Sequence, residues 1–193
     1  LLSLIGLSIR VYINGYNPEK NAIKIIKGKV AGKFFNTGVY SILRHPFRVA
    51  DFTIWLGFIL FSANTGFVII FTFVYCLYLE RLIIAQEQTL SRVFGLKYSE
   101  YAKKTPPFFP DAYLYKKPEL KFNFKKAISE ETPKLITIFG FFFICDLLYD
   151  NAEEKITPNY FLLNSLVIAI IIHLLINYKR LFQSLVSKFK DFK

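Results

Sequence analysis

Arg44, His45 and Pro46, and Glu87 beyond one apolar hairpin, are the side chains whose types could hold a ligand between them. Arg44 brings a permanent positive charge. Pro46 biases His45 toward extended backbone and suits the first position of a helix, so its neighbours present unpaired N–H groups at a helix start. Such an end attracts a carboxylate or a phosphate, and Arg48, two residues on, adds a further cation. Glu87 can accept hydrogen bonds from an ammonium or from hydroxyl groups. Tyr40, Phe47, Tyr98 and Tyr101 offer aromatic faces to a cation or a flat ring. The chain has two histidines, His45 and His173, which leaves little machinery for general acid–base work. Chemistry on an acceptor that is already an anion needs no base. No Gly-x-Gly-x-x-Gly occurs, no Ser-His-Asp set can be placed by periodicity, and no metal-ligand spacing is present.

The elements that must position these groups belong to a membrane protein. Apolar residues make up 53% of the 193 positions, aromatic residues 18% and charged residues 20%, and the mean hydropathy is +0.35. Apolar runs cover residues 1–13, 49–63, 66–79, 133–149 and 160–178. The expected fold is therefore all-α and polytopic, with about five transmembrane or re-entrant helices, a short central hairpin and no Rossmann domain. A hairpin returns the chain to the side it left, so the Arg44-His45-Pro46 loop and the Glu87 helix are expected at one membrane surface. The central runs are short, about 22 Å against a hydrocarbon core of about 30 Å, which leaves room for a re-entrant pair.

The net charge of +11 would suggest nucleic acid in a soluble protein, but its distribution points to the membrane. If every run crosses, one side holds all the Lys and Arg except Lys155, counting Arg10 and Lys134 at the run ends. That is the positive-inside pattern, and it puts the basic side in the cytoplasm beside anionic headgroups. Asn64-Thr65 and the acidic stretch Asp150 to Glu154 fall opposite. The absence of Met and the apolar opening at Leu1-Leu2 are read as a chain that begins partway through a longer protein. One membrane domain is expected over residues 1–193, with a ligand-binding core at about 36–110 and a C-terminal helix pair at about 133–178.

Several finer expectations follow. The third run continues as helix past Glu80, Glu87 and Arg92 and stops at Gly95 in a left-handed cap. A shorter helix then carries Tyr98 and Tyr101 on one face. The Pro-rich residues 105–124 form an extended segment at the surface, and Pro133 opens the fourth span. The tail from Lys188 to Lys193 alternates basic and aromatic residues as an interfacial anchor. Cys76 and Cys145 read as buried small hydrophobes, Asp51 as favoured by the helix dipole, and Asp146 and His173 as interhelical structural contacts.

The order Gly38-x-Tyr40-x-x-x-Arg44-His45-Pro46, apolar hairpin, Glu87-x-x-Leu90, Phe94-Gly95-x-x-Tyr98-x-x-Tyr101 and a Pro-bearing loop resembles the isoprenylcysteine carboxyl methyltransferase and phospholipid methyltransferase family over about residues 36–110. The resemblance implies S-adenosylmethionine bound at the cytoplasmic face, with the acceptor entering from the lipid. By matching position it implies cofactor roles for Gly38, Tyr40, Arg44, His45, Pro46 and Glu87, joined by Tyr98 and Tyr101; Arg44 and Arg48 are the expected catalytic residues, Arg48 by its place beside the motif and not by a family match. No metal is implied. The expected partners are a lipid or lipidated acceptor and the membrane, not nucleic acid, and the expected location is a bacterial inner membrane. The chain departs from the family at Phe47-Arg48-Val49-Ala50, where Tyr and Gly are usual, and at Gln86, where a second Glu is usual. Arg48 would suit an anionic headgroup. A non-catalytic lipid-binding or assembly protein that keeps the hairpin is the alternative reading.

Overall fold

The computed structural model describes residues 1–16, 24–26, 29–31, 35–152 and 159–190. The chain forms two compact units, Leu1–Asn123 and Phe124–Lys193. The fold is that of an all-α membrane protein. Among the described residues three helices are long and apolar enough to cross a bilayer, Thr65–Phe94, Phe124–Tyr149 and Tyr160–Tyr178.

In the first unit, α1 (Leu2–Tyr16) packs along α3 (Pro46–Leu60), with the one-turn α2 (Val39–Ile42) just ahead of α3. Close approach of α1 and α3 depends on small residues. A Cβ on Gly6 would stand 2.7 Å from the Ala50 carbonyl oxygen, and one on Gly57 would collide with Ser3 Oγ. Ser3 Oγ donates to the Ile54 carbonyl across this seam. At the other end of the contact Arg10 Nη1 lies 2.8 Å from Asp51 Oδ1, and its guanidinium stacks 4.9 Å above the Phe47 ring. Asp51 is therefore held by an ion pair, beyond the dipole effect expected of it, and the Phe47 face expected to meet a ligand cation is covered by Arg10.

Helix α3 ends at Leu60, and Asn64 caps α4 (Thr65–Phe94), its side chain accepting from the Phe67 N–H. The 30 residues of α4 exceed a bilayer's thickness, so the helix carries Glu87 out of the apolar zone as expected. Gly95 ends it, at φ +53° and ψ −128°, a glycine region distinct from the left-handed helical cap expected there. Next, α5 (Leu96–Lys104) carries Tyr98 and Tyr101 with ring centroids 6.1 Å apart. Residues 105–123 are irregular apart from a 3₁₀ turn at Ala112–Leu114, and they strap back onto the segment before α3. An antiparallel pair, β1 (Lys24–Ile26) and β2 (Lys29–Ala31), is an element the sequence reading did not anticipate. Its signal was there: β-branched residues either side of a Lys-Gly pair, as in two-residue hairpins.

The second unit is the helix pair α6 (Phe124–Ala152) and α7 (Tyr160–Lys190). Pro133 does not open the fourth span but sits inside α6. Proline has no N–H for the carbonyl four residues back, here Ser129. Thr132 Oγ1 lies 3.3 Å from that oxygen and takes over as donor. The same hydroxyl is 2.8 Å from His173 Nδ1, Ser129 Oγ donates to Asn177 Oδ1 at 2.6 Å, and Asn177 Nδ2 donates to the His173 carbonyl. His173 Nδ1 also faces Asn177 Nδ2 at 3.2 Å, so the ring nitrogen lies between the threonine hydroxyl and the asparagine amide. His173 is thus an interhelical structural contact, while Asp146 accepts from the Asn159 N–H. Cys76 lies on the outer face of α4 rather than buried in protein, and Cys145 is half-buried. Glu153, Glu154 and Lys155, and residues 191–193 of the basic tail, lie outside the described residues.

Candidate functional site

Three hydrogen bonds bring the loop before α3 into register with the strap. The Arg44 N–H donates to the Pro106 carbonyl, the Asp111 N–H to the Ile42 carbonyl, and the Gly38 N–H to the Lys116 carbonyl. Gly38 adopts φ +62°, which favours glycine, and a Cβ there would meet Pro118 Cγ at a tight 3.2 Å. Ser41 Oγ, 3% exposed as a residue, accepts from the Lys116 N–H and donates to the Gly38 carbonyl. Leu43 is extended, and Pro46 opens α3 with His45 at its N-cap as expected, while His45 itself, at φ −123° and ψ 58°, falls short of the extended backbone expected of it.

This framework aims Arg44 and His45 at the C-terminal part of α4, where Glu87 stands. Glu87 Oε1 lies 2.6 Å from Arg44 Nη1 and 2.9 Å from His45 Nε2. The His45 side chain is 2% exposed, Arg44 14% and Glu87 28%. Burial holds the imidazole below the usual histidine range, and the charges of Arg44 and Arg48 push the same way against the opposing pull of Glu87. A neutral ring facing a carboxylate must carry its hydrogen on Nε2, so His45 donates to Glu87. Arg44 Nε is buried without a hydrogen-bond partner, a spare donor beside the cluster.

The tyrosines form the next layer. Tyr98 is 4% exposed, and its hydroxyl is kept protonated by burial and by Glu87 against the pull of Arg44. Burial and the neighbouring Tyr98 and Tyr40 likewise raise Tyr101, whose hydroxyl donates to the Tyr40 carbonyl at 2.6 Å. Of the residues singled out by sequence, Arg44, His45, Pro46, Glu87, Tyr98 and Tyr101 thus gather at one place, with Arg48 near enough to act on His45 electrostatically. Gly38 and the Tyr40 ring line a separate small cleft with Ile13, Tyr16 and Pro118, which Arg44, His45 and Glu87 do not line. Sequence reasoning missed the Arg10–Asp51 brace that fixes the start of α3, and the Ser41 and Pro106 contacts of the strap. Opposite charges lying within two separate apolar runs were the available signal for the brace. Among the described residues no group of His, Cys, Asp and Glu could hold a metal ion.

Residues 25–105 match the family described as a protein of unknown function, DUF1295, and that span holds Arg44, His45 and Glu87 but neither α6 nor α7. Two curated proteins align over 91 residues, which is 47% of this chain. They are the nickel-cobalt-cadmium resistance protein NccN of Alcaligenes xylosoxydans xylosoxydans, 30% identical, and the cobalt-zinc-cadmium resistance protein CzcN of Cupriavidus metallidurans, 28% identical. The chain spans 42% of the length of these relatives. No solved structure matches it.

Proposed function

We propose that this chain carries out S-adenosylmethionine-dependent methyl transfer to a lipid or lipidated acceptor at the cytoplasmic membrane face, to a carboxylate or phosphate oxygen rather than an amine. The observation that carries the reading is the meeting of His45 and Arg44 on one oxygen of Glu87. Two charged groups of opposite sign, fixed by separate elements at the rim of a membrane protein, suit a zwitterionic ligand such as an amino acid moiety. The donor set fits: Arg44 Nε has no acceptor, and the buried Tyr98 and half-buried Tyr101 belong to the same cluster.

Arg44 and the start of α3 would hold the ligand's carboxylate. Glu87 would accept from its ammonium, with His45 orienting the carboxylate by its Nε2–H. Tyr98 and Tyr101 would place aromatic faces against the cationic centre and help exclude water. Bound there, S-adenosylmethionine would supply a methyl group on a sulfonium, which an anionic oxygen accepts without any proton moving. A neutral His45 that already donates to Glu87 is in keeping with chemistry that needs no base. Holding the acceptor in line at the lipid boundary is then the main contribution, on the order of 7 kcal/mol where alignment is good.

The cytoplasmic side follows from the charge asymmetry. The relatives' names favour a second reading, a part in metal resistance. The test is to incubate vesicles containing the protein with methyl-labelled S-adenosylmethionine. Label should enter the lipid fraction and be lost with Glu87→Gln. Label that stays out of lipid, in a protein that is folded, speaks for the non-catalytic lipid-binding alternative.

A further inference from the structure

A second recess, a groove of about 310 Å³, lies between α5 and the strap. Its floor includes Ser41 and Tyr101, both already engaged in backbone hydrogen bonds, and its rim carries Lys97, Lys104 and Lys116 against a single carboxylate, Glu100. Lys97, Glu100, Tyr101 and Lys104 stand at i, i+3, i+4 and i+7 of α5, one face of that helix. The third lysine arrives from the strap, and its backbone N–H is fixed on Ser41 Oγ at 2.8 Å. A solvated helix face would spread mixed charges evenly; here two elements converge three cations on one concavity that shares Tyr101 with the Arg44–Glu87 cluster.

We propose that this groove binds the phosphate of a membrane lipid. Three ammonium groups give a phosphate the multiple charge-assisted hydrogen bonds it needs, in a recess rather than on a flat surface. The lipid source, rather than free phosphate, follows from the strap that forms one wall. It carries Phe109, 85% exposed, and Tyr113, fully exposed, next to Leu114, which lines the groove. Exposed aromatic residues beside cations are what a protein sets into the headgroup zone of a bilayer. The inference rests on the methyl-transfer reading only in making this lipid the acceptor; the binding itself stands apart from it.

The test compares the full chain in detergent with Lys97→Gln/Lys104→Gln/Lys116→Gln, using calorimetric titration with short-chain phosphatidate and with inorganic phosphate. Lys103→Gln/Lys117→Gln, which removes charge from the same two elements outside the groove, is the control. The unsubstituted protein should bind phosphatidate more tightly than inorganic phosphate, and the triple variant should lose about tenfold or more while the control keeps its affinity. Lys104→Gln alone, at an exposed position, should show part of the loss. Equal binding by the triple variant and the unsubstituted protein overturns the site, and inorganic phosphate binding as well as phosphatidate overturns the lipid assignment. S-adenosylhomocysteine affinity should be unchanged in the triple variant. Lysine-dependent phosphatidate binding in a protein that takes no S-adenosylhomocysteine would support the groove and remove the methyl-transfer reading.

Discussion

Buried histidine beside a carboxylate is a competition, and at His45 burial wins. The neutral ring is the form the fold accommodates, so its proton affinity is lower in the folded protein than in the unfolded chain. The sign of the pH effect follows: above the unfolded value of about 6.5 neither state is protonated and stability is whole, whereas on acidification the unfolded chain takes up the proton first. Thermal stability in detergent should therefore fall as the pH drops through about 6.5, and His45→Gln should flatten that slope. A slope that is absent in the unsubstituted protein, or that survives in His45→Gln, contradicts the assignment. That Arg44, His45 and Glu87 come together was largely legible in the sequence, because they flank the two ends of one apolar hairpin. Who touches whom was less so. Phe47 was expected to serve a ligand and instead lies beneath Arg10, since nothing in the local pattern says that α1 returns to the start of α3.

Hairpin logic explains why the two arms meet but not why Glu87 is the residue that reaches His45. Counting rises from the turn puts His45 about 22 Å down one arm and Glu87 about 33 Å down the other. By length alone Glu80 would stand opposite His45, yet Glu80 is exposed and Glu87 makes the contact. Only the motif order distinguished them; the extended backbone at Leu43 and the strap contacts on Arg44 and Ile42, which set the loop's height, are long-range features. Pro133 teaches the same lesson. Proline before an apolar run reads as a helix start, but a threonine at the preceding position supplies the missing donor and lets α6 continue. Thr132→Val should destabilise the helix pair by about 1–3 kcal/mol, because the Ser129 carbonyl and His173 both lose a partner. In a Pro133→Ala background the restored N–H serves Ser129, so the cost of Thr132→Val should shrink. Equal costs in both backgrounds, measured by equilibrium unfolding, would rule out this compensation.

Across the whole molecule, composition and charge distribution were enough to read an all-α membrane protein, because a run of apolar residues has few other stable uses and Lys and Arg sort by side. The small β pair escaped because a few residues of alternation are a weak signal inside a basic linker. The orientation has its own check. A membrane-impermeant amine reagent should modify Lys103, Lys104 and Lys117 in inverted vesicles and leave them untouched in right-side-out vesicles; the reverse pattern would put the site on the outer face. The match to a family of unknown function covers the hairpin and its two polar arms, so whatever chemistry the matched span performs has Arg44, His45 and Glu87 within it. The central claim is that these three residues grip a methyl donor. Calorimetric titration of the purified chain with S-adenosylhomocysteine tests it most directly: binding should be measurable, and Glu87→Gln should weaken it about tenfold or more. A folded protein that gives no binding heat at about millimolar ligand, well above the range of a weak specific site, would contradict it.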